Sequence, residues 1–149
     1  MAEILFYRLE RQTLDEVLPT LLERSLQRGW RAVVQAGSPE RLEALDNLLW
    51  TYRENSFLPH GTKRDGHEAL QPIYLTDDDS NPNGATVRFL VEGADLVPPE
   101  GYDRLVFLFD GADATALEQA RSAWKEARST MHEATYWRQD ADGRWLKQE

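Results

Sequence analysis

The sequence predicts a three-layer α/β domain built on a central mixed, mostly parallel sheet. Three observations carry this reading. Strand and helix patterns alternate through the first fifty residues, the order that builds a βαβ unit. Arg104 to Phe109 reads Arg-Leu-Val-Phe-Leu-Phe, the near-continuous apolar run of a strand buried on both faces, which places it centrally. A long helical pattern from about Thr115 to Thr130 follows directly, available to cover a second face.

The elements follow in order. Glu3 to Leu9 (Glu-Ile-Leu-Phe-Tyr-Arg-Leu) is rich in branched and aromatic residues and reads as the first strand. Thr13, with Glu16 three residues on, forms a capping-box pattern that opens a helix. Leu14, Val17, Leu18, Leu21, Leu22 and Leu26 repeat at the 3–4 spacing of one apolar face, Pro19 falls near the second turn, and Gly29 stops the helix. Arg31 to Gln35 reads as a short buried strand. Ser38 is the expected N-cap of the next helix, with Pro39 at its first position and its end near Trp50. Thr51 to Gln71 reads as irregular, Pro72 to Leu75 as a strand, and Asp77 to Gly84 as a turn-rich loop. Thr86 to Val91 is a further strand. In the long helix, Thr115 and Glu118 again have capping-box spacing. Thr135 to Gln139 and Gly143 to Lys147 close the chain as short strands around an Asp-Ala-Asp-Gly turn.

A chain of 149 residues is the size of one ordinary domain, and residues 1–149 are read as one. There is no cysteine, which excludes disulfides and thiolate metal sites. The N-terminal apolar run is too short for a secretory signal and no stretch approaches a membrane span, so a cytoplasmic location is the expectation. The net charge of −9 argues against direct nucleic-acid binding, which requires a positive surface. That charge is uneven: the first 120 residues carry −10 and the rest +1, so the C-terminal region is where an acidic partner meets least repulsion.

Motifs for several chemistries are missing. The first βα turn is Glu10-Arg11-Gln12-Thr13, without the glycines that let backbone amides cradle a phosphate. His60, His67 and Asp65 match no common zinc spacing, and His60 reads as a turn residue. Asp77-Asp78-Asp79 lacks the glycine and glutamate of a calcium loop. No serine elbow is present. No catalytic residue, metal or cofactor is expected.

Two clusters rise above this background. The first joins Leu49-Trp50 to Ser56-Phe57-Leu58-Pro59-His60. Its aromatics either plug the edge of the core or form an apolar docking patch, in which aromatic anchors dominate binding energy. The second is the long helix, where Arg121, Lys125 and Arg128 fall at i, i+4 and i+7 with Trp124 beside them. This is either a solvated face or a place where a guanidinium holds a carboxylate while an indole supplies apolar contact.

Taken together, these segments resemble the χ (chi) subunit of bacterial DNA polymerase III. The likeness rests on Ile4-Leu5-Phe6-Tyr7-Arg8-Leu9, Arg31-Ala32-Val33-Val34, Leu49-Trp50, Ser56-Phe57-Leu58-Pro59-His60, and Arg121 with Trp124 and Lys125. It covers almost the whole chain. The resemblance implies a Rossmann-like fold without a nucleotide and a non-catalytic replisome accessory. Such a protein links the clamp-loader assembly, through the small ψ (psi) subunit, to the acidic C-terminal tail of single-stranded DNA-binding protein. It further implies that Trp50, Phe57, Leu58 and Pro59 face a psi-like partner. Arg121, Trp124, Lys125 and Arg128 would receive the tail, with Tyr136 as a candidate opposite wall. Where the family often has tyrosine this chain has Trp124, and where it has a lysine one turn before the arginine this chain has Leu117. The alternative from another class is a Rossmann-like enzyme or nucleotide-binding protein.

Overall fold

The computed structural model describes residues 2–51 and 59–148. Eight strands form one sheet in the order β3-β4-β2-β5-β6-β1-β7-β8. They are β1 (Glu3–Leu9), β2 (Ala32–Gln35), β3 (His60–Thr62), β4 (Ile73–Thr76), β5 (Val87–Leu90), β6 (Arg104–Asp110), β7 (Glu133–Gln139) and β8 (Trp145–Gln148). Every neighbouring pair is parallel except β7–β8, a hairpin closed over Asp140 to Gly143. The expected central strand, β6, lies between β5 and β1 and buries five consecutive residues, Leu105 to Phe109.

Helices α1 (Leu14–Gln27) and α2 (Pro39–Thr51) cover one face, and α3 (Ala114–Arg128) covers the other. The alternation of each strand sorts the two cores. Leu5, Leu9, Val34, Val106 and Leu108 meet Leu18, Leu22, Leu45 and Leu49 on the α1–α2 face. Ile4, Phe6, Leu105, Phe107 and Phe109 meet Ala120, Ala123 and Ala127 of α3. The small residues of α3 let its backbone lie close to bulky strand side chains. Each large side chain buried this way contributes about 1.5–3 kcal/mol. No described helix is long and apolar enough to cross a membrane.

Local signals set most element ends. The Thr13–Glu16 capping box starts α1, and Gly29 follows its end with a φ of 78°, a conformation open to glycine at little cost. Pro19 sits buried inside α1 without breaking it. Ser38 Oγ accepts from the Arg41 amide at the start of α2.

Three local expectations are corrected. Thr51 to Gln71 is not wholly irregular, because His60-Gly61-Thr62 pairs with Ile73-Tyr74-Leu75 as the edge strand β3. His60 is accordingly a buried strand residue rather than a turn residue. The cap of α3 is Asp113, whose carboxylate accepts from the amides of Thr115 and Ala116, so the Thr115–Glu118 spacing is not used.

A buried arginine fastens the turn-rich loop to the sheet. Arg88 of β5 is fully enclosed. Its Nε and Nη2 donate to Gln35 Oε1 at 3.0 and 2.6 Å, and Nη2 also donates to the Asp78 carbonyl. Nη1 donates to the Ser80 carbonyl and the Tyr102 hydroxyl. These bonds satisfy a cation that burial would otherwise penalise by several kcal/mol.

Candidate functional site

The C-terminal half of α3 and the strands beneath it build the more developed of the two predicted surfaces. Helix periodicity turns Ala120, Ala123 and Ala127 onto the sheet and leaves Leu117 and Trp124 on one shoulder, half-buried. Trp124 meets Phe6 edge-on, with ring centroids 5.3 Å apart, and Tyr136 of β7 edge-on at 5.7 Å. Tyr136 in turn leans on Phe109. Both rings are thus fixed from below by the α3-side core.

A cleft of about 510 Å³ opens above them. Leu117, Ala120 and Trp124 of α3 line it with Arg121, Tyr136, Arg8 of β1 and Gln148 of β8. On the far side of Trp124 a second hollow is lined by Arg128, His132, Glu133 and Lys147. Arg128 stands 5.5 Å from the Trp124 ring centroid, a cation–π contact that holds the guanidinium in place. Arg121 and Arg128 therefore flank one indole. Tyr136 adjoins Trp124 directly, the two rings meeting edge to face at 84°. Lys125 is exposed and lines neither hollow.

The charges in this region are unequally committed. Arg8 Nε lies 2.9 Å from Glu10 Oε1, and Arg138, its register partner on β7, pairs with the same carboxylate. Gly111 permits this, since a Cβ there would come within 2.9 Å of Arg8 Nε. Among the described residues, Arg121, Lys125 and Arg128 form no ion pair. Arg8 and Gln148 escape a reading by helix spacing. The signal for Arg8 was its parity, an arginine on the face of β1 that also carries Ile4 and Phe6.

The other predicted surface lies at the β3 edge. Trp50, in the last turn of α2, is 51 % exposed, and its ring centroid is 4.5 Å from that of His60. His60 Nε2 lies 3.1 Å from Asp46 Oδ1, with the imidazole fully buried. Pro59 is half-buried beside them. Phe57 and Leu58 lie outside the described residues.

A third hollow, of about 590 Å³, sits at the C-terminal ends of β1, β5 and β6, the position where open parallel sheets often take ligands. It is lined by Glu10, Asp15, Glu92, Asp110 and Asp113, against the cations Arg11 and Arg41. The helix N-termini that reach it are capped by their own side chains, Thr13 with Glu16 and Asp113. A phosphate there meets carboxylates rather than bare amides. Among the described residues, no group of three or more His, Asp or Glu is placed to hold a metal ion.

The sequence model of the family described as DNA polymerase III chi subunit, HolC, matches residues 1–135. That range includes Arg121 and Trp124 and ends one residue before Tyr136. The chain is also 31 % identical over 96 residues to the "Probable DNA polymerase III subunit chi" of Rickettsia prowazekii (strain Madrid E). That match covers 64 % of this chain and 58 % of the length of the Rickettsia protein.

Proposed function

Because the chain belongs to the DNA polymerase III chi subunit family, we propose that it acts as a non-catalytic replisome accessory joining two other proteins. One is a psi-like subunit of the clamp-loader assembly, received by Trp50 and Pro59 with Phe57 and Leu58. The other is single-stranded DNA-binding protein, whose acidic C-terminal tail enters the cleft beside α3.

The observation that carries the second half is the convergence of Arg121, Trp124 and Tyr136 on one cleft, with Arg121 unpaired among the described residues. An acidic peptide ending in an aromatic side chain needs a cation for its terminal carboxylate and an apolar wall for its last ring. Arg121 offers a planar fork of donors that suits a carboxylate bidentately. Trp124, Tyr136 and Leu117 offer the wall. Arg128, held over the indole, and Lys125 add positive potential for the acidic residues upstream. The tail thus binds within the stretch from Arg121 onward, whose net charge is +1, although the whole chain carries −9.

The test is titration of wild-type and Arg121→Ala proteins with the tail peptide, with and without its final phenylalanine. Arg121→Ala is expected to weaken the intact peptide by about 1–3 kcal/mol, the range for a hydrogen bond to a charged group. Equal affinity in all four combinations would refute the cleft assignment. For the alternative, a Rossmann-like enzyme or nucleotide-binding protein, only the location of the third hollow speaks. That reading requires recognition of the base and sugar, so a thermal-shift screen with unphosphorylated nucleosides is expected to give no stabilisation.

A further inference from the structure

Apart from the stretch that begins at Arg121, folding assembles a second basic cluster from residues far apart in sequence. Arg24 in the last turn of α1, Arg28 at its C-cap, Trp30, Tyr7 of β1 and Arg104 of β6 line a hollow of about 150 Å³ on the α1 side of the sheet, together with the apolar Leu5, Leu21, Val87, Phe89 and Val106. This is the opposite face from the α3 cleft, and the two share no lining residue.

The cluster is preorganised. The guanidinium carbons of Arg28 and Arg104 lie 5.0 and 5.2 Å from the Trp30 ring centroid, so one indole positions two cations. Among the described residues, the one carboxylate in ion-pair range of these arginines is Glu3, 3.8 Å from Arg104 Nε and about half exposed. Among the described residues, Arg24 and Arg28 form no ion pair, and the Tyr7 hydroxyl makes no hydrogen bond. Burial pushes the Tyr7 hydroxyl above its ordinary pKa against the opposing pull of Arg104 and Arg24, so it remains a proton donor near neutrality. Cations at a helix C-terminus have a structural use in meeting the helix dipole. That use accounts for Arg24 and Arg28 but not for Arg104 and Tyr7 converging from the sheet.

We infer that this hollow is an oxyanion-binding site for a phosphate monoester group. Three guanidinium groups less one carboxylate leave an excess of two positive charges, matching a dianion better than a single carboxylate. The volume is below the roughly 300–1,000 Å³ of pockets that enclose a cofactor-sized molecule, so it takes the charged end of a ligand and leaves the remainder outside. Arg24, Arg28 and Arg104 donate to the phosphate oxygens, and Tyr7 adds a hydroxyl donor from the floor. Glu3 competes with the ligand for Arg104.

Isothermal titration with inorganic phosphate, adenosine monophosphate and adenosine tests this on the full chain. Saturable binding of the two phosphates and none of adenosine is expected. An equal response to both phosphates marks a site for the free anion. A stronger response to the monophosphate marks one that also contacts the carrier. Arg24→Gln with Arg28→Gln, both exposed positions, is expected to weaken phosphate by roughly tenfold or more, as loss of hydrogen bonds to a charged group does. Glu3→Gln is expected to tighten it, an outcome that loss of folding cannot mimic. The inference is overturned by any of three results: no phosphate binding at millimolar concentration, adenosine binding as well as its monophosphate, or unchanged affinity in both variants. Arg121→Ala should leave phosphate binding as it is, which separates this site from the tail cleft.

Discussion

Trp50 and Trp124 stand near opposite ends of one sheet, and their surroundings differ in kind. Trp124 is held edge-on by Phe6 and Tyr136, with a guanidinium over its ring. Trp50 projects half into solvent from the last turn of α2 and touches a buried histidine at the sheet edge. At the α3 end the aromatic belongs to the core and the charges are available. At the β3 end the aromatic is half exposed, while the His60 imidazole beneath it, 3.1 Å from Asp46, is buried. An aromatic residue near a surface therefore says little about binding until its neighbours are known. The α3 end suits an acidic ligand steered by charge, and the β3 end suits a partner that covers an apolar ring.

The largest effect that would break this contrast concerns folding. Trp124→Ala removes a ring wedged against Phe6 and Tyr136 and is expected to cost about 3 kcal/mol in chemical denaturation. Trp50→Ala, at an exposed position, is expected to cost less than about 1 kcal/mol. Equal losses would abolish the distinction. Binding reverses the ranking: Trp50→Ala is expected to weaken a psi-like partner by about 2 kcal/mol while leaving tail-peptide affinity unchanged, as titration of each ligand would reveal. Asp46→Ala leaves buried His60 without its carboxylate. It is expected to lower stability by about 1–2 kcal/mol and to reduce hydrogen-exchange protection in β3 more than in β6. The smallest effect is a salt dependence. Raising ionic strength through the physiological range is expected to weaken the tail peptide several-fold by screening Arg121, Lys125 and Arg128. The psi-like partner should respond less, and a matching salt slope would place charge at the heart of both surfaces.

Much of the scaffold was legible where the signal is local. The extent of β1, the capping box of α1, Ser38 before Pro39 and the apolar run of β6 each depend on a few neighbouring residues. The β3 strand was not legible, because His60-Gly61-Thr62 has no branched or apolar periodicity and becomes a strand only through its register with β4. The cap of α3 was misplaced because Asp113 and Thr115 are both good caps two residues apart, and the backbone at Asp113 decides between them. On the α3 surface, helix spacing brought Arg121, Trp124 and Arg128 together on one side. It also grouped Lys125 with them, although a 40° offset around the helix from Arg121 is enough to leave that lysine outside the cleft. Arg8 and Tyr136 meet at the cleft through pairing of β1 with β7 across more than a hundred residues of sequence, Gln148 reaches it through the β7–β8 hairpin, and the cluster around Trp30 forms through pairing of β1 with β6. Local patterns do not encode such meetings.

The strand order also has a mechanical side. The β3 edge and β7, which floors the α3 cleft, are six strand spacings apart, or roughly 30 Å across the sheet. A pull applied between these ends runs across the strands, along the hydrogen bonds, and loads the ladders in series like the teeth of a zip. The β1–β6 ladder registers seven residue pairs, whereas the β3–β4 ladder registers three. Under tension the β3 edge gives first, and the central strands keep their register while it peels.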